Sequence, residues 1–183
     1  MAQLQAISLK TEVSGNFVQA IQQAVPSYES RIKLIFSKYL IEFPESEKWY
    51  PLQDILQVYK EISMQFGPHL LFSIGKYLSK TNPLAEGFQN LETALLNLDN
   101  MQRYHHRGGE VGYYKLLHYS PEKKEAKLEC RNPYPCYVDR GILTYLAIKY
   151  KPADSSLILV ELDTNRPNRL AGGEVSFYNI LWV

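Results

Sequence analysis

The period of the apolar residues changes once along this chain, at Gly108-Gly109. Before that glycine pair, apolar residues recur at three- and four-residue steps, which places them on one face of a helix. After it they alternate, the pattern of a strand with one buried face. Helices first and strands second predict an α+β fold: N-terminal helices packed on a C-terminal antiparallel sheet.

The helical half divides at its punctuation. Ser14 is placed to cap a helix through Phe17, Val18 and Ile21, which Pro26 ends. Ser27 is placed to cap a second helix with Ile32, Ile35, Phe36 and Tyr39 at helical spacing. Residues 43–49 read as a polar bend, with Glu42, Glu45, Glu47 and Lys48 in water. Pro51 suits the first position of a third helix, whose stripe is Leu52, Ile55, Leu56, Tyr59, Ile62 and Phe66. Gly67-Pro68 breaks it, a fourth helix covers residues 69–79, and Asn82-Pro83 stops that one. A long helix carrying Leu91, Leu95, Leu98 and Met101 then runs to the glycine pair.

In the second half, residues 111–119 and 126–131 predict two strands joined by a turn. Residues 136–150 are apolar on nearly all sides and predict a buried helix, and residues 156–163 and 175–182 predict two more strands. The expected sheet has about four strands crossed by that helix. A unit of about 75 residues would have a small core alone, so residues 1–183 are expected to form one domain.

Composition narrows the function classes. A net charge of +1 in 183 residues gives no electrostatic footprint for nucleic acid. The first ten residues lack the charged start and apolar core of a secretory signal. No apolar run approaches the roughly 18 residues that a spanning helix needs. Two cysteines suit a reducing compartment, and the expectation is a soluble cytoplasmic protein. Fourteen tyrosines supply large contact areas with polar tips, suited to a pocket or an interface.

Both cysteines lie in "CRNPYPC". Asn132-Pro133 is a helix-start signal: Asn accepts from a free backbone N–H, and Pro wastes no donor in a first turn. This puts Cys130 at the end of a strand and Cys136 just inside a helix. Structural zinc wants four ligands with two to four residues between paired cysteines. Here five intervene, and His69, His105, His106 and His118 are the remaining nitrogen ligands. Free thiols without a metal are expected. Arg140 is expected to pair with Asp139 or Glu129, and residues 163–169 to form a flexible surface loop. The two Gly-Gly-Glu segments lack phosphate-loop spacing and read as turns. No nucleophile–base arrangement or carboxylate pair stands out, so no catalytic residue is assigned.

"CRNPYPCYVDRGILTYLAIKY" followed by "LAGGEVSFYNILW" resembles the C-terminal half of a ligand-binding superfamily. Its members are the haem-nitric-oxide-binding (H-NOX) domains, the 4-vinyl-reductase-type sensor domains and the TRAPP vesicle-tethering subunits. "WYPLQDILQVYKEISMQFG" and "LLNLDNMQRY" are similar to a helix run and to the haem-bearing helix of H-NOX domains. The chain departs from the resemblance at three places. Ser176 stands where the sensor domains often have cysteine, Gln102 stands at the haem-ligand histidine, and Cys130, Asn132 and Tyr134 replace the motif that holds the propionates.

The resemblance implies a non-catalytic ligand-binding or sensory domain with a pocket between helices and sheet. With the apolar faces, it points to Tyr59, Phe66, Phe72, Leu98, Met101, His105, Tyr113, Tyr134 and Tyr145 as lining residues. The ligand would be a hydrophobic or tetrapyrrole-like small molecule, and the signal would pass by contact with a protein partner, with a homodimer as one form. His105 shares the apolar face of Leu98 and is one turn past the expected haem ligand; a hydrogen-bonded histidine at a helix end explains it without a cofactor. His106 is expected to be exposed. No cofactor is assigned. An interaction module with a filled core and a haem-based gas sensor are the alternatives.

Overall fold

The computed structural model describes residues 3–41 and 43–183. Met1, Ala2 and Glu42, which entered the readings of the leader and of the polar bend, lie outside the described residues. The fold is α+β, with a helical layer, a crossing helix and an antiparallel sheet.

The helical layer holds α1 (Gly15–Gln23), α2 (Glu29–Ser37), α3 (Leu52–Phe66) and α4 (Pro68–Thr81). Ser14 caps α1 as its position predicts, accepting from the backbone N–H of Phe17 at 3.4 Å. Ser27 does not cap α2; it lies in a 3-10 turn, Pro26–Tyr28, that feeds that helix. Pro51 lies just outside α3, at its N-cap, and closes a strand. The expected long helix is two: α5 (Leu91–Leu96) and α6 (Leu98–Tyr104). Asn97 separates them. Its side chain donates to the Thr93 carbonyl at 2.8 Å, and such local side-chain bonds compete with helix continuation.

A three-stranded sheet that periodicity does not reveal joins distant segments. Its strands are β1 (Glu12–Ser14), β2 (Trp49–Pro51) and β3 (His106–Arg107), in the order β2-β1-β3. Strands of two or three residues are too short to show an alternation. The main sheet has the expected four strands: β4 (Tyr113–Ser120), β5 (Glu125–Arg131), β6 (Ile158–Leu162) and β7 (Ser176–Trp182), antiparallel in the order β4-β5-β7-β6.

The crossing helix α7 spans Cys136–Lys149 and touches two cores. One lies among α1 to α4 and includes Ile21, Ile55, Tyr59, Ile74 and Val138. The other lies between α7 and the sheet and includes Leu98, Leu128, Leu143, Leu146, Tyr178 and Trp182. Ile142 packs against both. Gly141 of α7 faces α4. A Cβ there would lie 2.2 Å from the Phe72 carbonyl oxygen, and one on Gly75 would lie 2.0 Å from that of Val138. Two glycines therefore let α4 and α7 cross at backbone contact. That crossing fixes the wall of the space described next.

Candidate functional site

A small cavity, about 40 Å³, opens where α1, α4, α6 and α7 meet β4. Phe17, Leu98, Met101, Val138 and Ile142 make its wall largely apolar, and Ser79, Gln102, His105, His106 and Tyr134 bring polar groups to it. Four of the expected lining residues come together here: Leu98, Met101, His105 and Tyr134.

The other five lie elsewhere. Tyr59 is buried behind Tyr134, its ring edge-on at 5.8 Å between centroids. Phe66 packs on Tyr28 at the end of α3. Phe72 sits beneath the Arg140 guanidinium, because the inward face of α4 is Leu71, Ile74, Gly75 and Leu78. Tyr113 donates to Glu129 at 2.6 Å; strand alternation turns Tyr114, not Tyr113, to the cavity. Tyr145 borders a surface groove between α4 and α7 with Lys76, Lys80 and Lys149.

His106 is the main residue that sequence reasoning missed. The expectation of exposure applied helical geometry past Tyr104, where α6 ends. In β3 the ring turns inward. Its Nδ1 meets the Gln102 carbonyl at 2.6 Å and its Nε2 meets the Tyr134 hydroxyl at 2.5 Å. The carbonyl only accepts, so Nδ1 carries the proton and Nε2 accepts from tyrosine. His105 places Nδ1 at 2.8 Å from the Ser14 hydroxyl. Burial lowers the pKa of both histidines to about 4, so both are neutral near pH 7. Gln102 is buried, with Nε2 donating to the Val111 carbonyl at 3.4 Å.

The CRNPYPC stretch builds a second buried cluster beside the cavity. Asn132 does not cap α7. That helix starts at Cys136, and the Cys136 N–H donates to the Gln3 side chain at 2.9 Å. Asn132 accepts from Tyr134 N–H at 2.9 Å and donates to Asp139 at 3.1 Å and to the Cys130 sulfur at 3.0 Å. Its carboxamide instead joins a completely buried ion pair between Asp139 and Arg169. The guanidinium takes the Asn132 side-chain oxygen at 2.7 Å and the Tyr134 carbonyl at 2.8 Å, and also reaches the Asn132 carbonyl.

Arg169 was expected in a flexible surface loop and is instead 2% exposed. Arg140 pairs with neither Asp139 nor Glu129; it donates to the Val160 carbonyl at 2.8 Å. Both cysteines are free and buried. Burial, reinforced by Asp139, pushes the Cys130 thiol well above its usual range, and burial also raises Cys136. Cys136 lies 3.2 Å from the Ser176 hydroxyl. Among the described residues no three His, Cys, Asp or Glu side chains are grouped to hold a metal.

Haem does not fit these residues. Cofactor pockets run to about 300–1,000 Å³, an order of magnitude above this cavity. Arg169, buried in the neighbouring cluster, is engaged with Asp139, Asn132 and Tyr134, so its charge is already neutralised. Gln102, at the position that the resemblance gives to the haem ligand, has a side-chain amide tied to Val111.

No protein-family model matches the chain and no curated protein matches it. Solved structures do match its fold. It is similar to an H-NOX protein from S. oneidensis in the Fe(II)NO state, with a TM-score of 0.70, 11% identity, and 93% of this chain and 99% of that chain covered. The Fe(II) unliganded H-NOX protein from K. algicida gives a TM-score of 0.67 at 12% identity, over 93% and 96%. A mutant T. tengcongensis H-NOX gives 0.65 at 12%, over 91% and 94%. The fold is therefore the H-NOX fold. Among the described residues no helix is long and apolar enough to cross a membrane.

Proposed function

We propose that this chain is a non-catalytic sensory domain that uses the H-NOX fold without haem. It binds a small molecule in the cavity between the helical layer and the sheet and passes occupancy to a partner protein by contact. The observation that supports this most is the position of the cavity. It lies where both cores meet at α7, so a guest there alters the packing of the helical layer against the sheet. The solved H-NOX proteins hold iron in this fold. Here the wall carries neutral histidines, Tyr134 and Gln102 around a space too small for a macrocycle.

The test combines native mass spectrometry and absorption spectra of purified protein before and after reconstitution with hemin. The expected result is a mass above that of the chain by a small guest and no sharp Soret band. A Soret band that disappears in His105→Ala would overturn the haem-free reading. One observation favours a second reading, an interaction module with a filled core: the two layers nearly close on each other, leaving only about 40 Å³. A guest-free oligomer in the same mass spectrum would select it.

A further inference from the structure

Ser79 and Gln102 both line the cavity, and each keeps a polar atom without a hydrogen-bond partner among the described residues: Ser79 Oγ and Gln102 Oε1. Ser79 is 2% exposed and Gln102 9%. A helical serine or threonine can return its hydroxyl to the carbonyl four residues earlier. Ser73 and Thr81 on the same helix do so, to His69 at 3.1 Å and to Tyr77 at 3.0 Å. Ser79 does not. Gln102 uses its amide nitrogen on Val111 and is left with an oxygen that takes a donor. A buried polar atom without a partner is costly to leave unsatisfied, so two beside one small cavity favour a guest that brings its own hydrogen-bonding group.

The rest of the wall defines that guest. Asn82 is spent on the Met101 carbonyl and the Leu84 N–H, and both nitrogens of His106 are used. Among the described residues no charged side chain lines the cavity, so a charged guest would lose its hydration without a counter-ion. One water needs about 10–15 Å³, so this space holds roughly three such volumes, and most of its wall is carbon.

We infer that the cavity is a site for one neutral short-chain alcohol, its hydroxyl bonded to Gln102 Oε1, to Ser79 Oγ, or to both, and its carbon body against Phe17, Leu98 and Met101. This deepens the sensory reading and rests on it. Methyl NMR spectra of the full chain, titrated with ethanol, test it. Saturable shifts of the Leu98, Met101 and Val138 methyls are expected in wild type. They should weaken about tenfold in Ser79→Ala or in Gln102→Leu, according to which atom holds the hydroxyl, and vanish when both are changed. Methyls unmoved by ethanol but shifted by xenon under pressure would overturn the alcohol inference and leave a small-molecule site standing. A long-lived water at Ser79 that ethanol does not displace would also overturn it. Methyls moved by neither ethanol nor xenon would remove the inference and the small-molecule reading together.

Discussion

Arg169 and Asp139 form an ion pair with no exposed side-chain surface, and every group around them is engaged. Removing one member of such a pair leaves the other charge buried alone, at about 3–5 kcal/mol. Asp139→Asn and Arg169→Met should each fall in that range in urea melts. Asn132→Ala should cost about 1–3 kcal/mol because it leaves buried partners unsatisfied rather than because it removes a cap. A cost near zero at Asp139 would mean that the cluster is not closed as described. The histidines give a pH dependence of known sign. The unfolded chain holds histidine near 6.5, while burial holds His105 and His106 at about 4. Between those values the unfolded state binds more protons. Stability is therefore fully present above about pH 6.5 and is lost as pH falls toward 4. Melts at pH 7.5 and 4.5 should differ less for His106→Phe than for wild type.

At the scale of elements, the α4–α7 crossing decides the architecture. Alanine is a better helix former than glycine, yet Gly141→Ala would drive a Cβ into the Phe72 carbonyl. A destabilisation of about 1–3 kcal/mol is expected, as for other overpacked sites. Denaturant midpoints check this, and a stabilised variant would show that the helices do not touch there. On the other face of α7, Leu143→Ala should cost about 2–5 kcal/mol through the cavity it leaves. Ile142→Ala should cost less, since Ile142 is only partly buried. α7 was legible as an element because its apolar run is long. The direction of each residue was not, because a helix apolar on nearly all sides has no single face to read.

For the whole molecule, α7 ties the two cores, which supports one cooperative unit over the chain. The two tryptophans report on its two parts. Trp49 lies in β2 under the Arg107 guanidinium, and Trp182 is buried in β7 against Tyr119. Fluorescence melts of Trp49→Phe and Trp182→Phe should share one midpoint once corrected for stability measured by circular dichroism. Separate midpoints would divide the chain into two folding units.

Local order was written in the sequence because it follows from local rules. Apolar period, Ser14, Gly67-Pro68 and Asn82-Pro83 predict α1, α3 and α4, and alternation predicts the four strands of the main sheet. The resemblance of "NPYPCYVDRGILTYLAIKY" and its partner segment pointed to the fold that the solved structures share. Other features depended on residues far apart in the chain. Glu12 meets Arg107 across the small sheet, Asn132 turns from cap to ligand of Arg169, and His106 turns inward to Tyr134. A burial or a hydrogen bond between residues dozens of positions apart leaves no period in the sequence. Only packing of the completed layers decides whether a loop arginine ends in water or in the core.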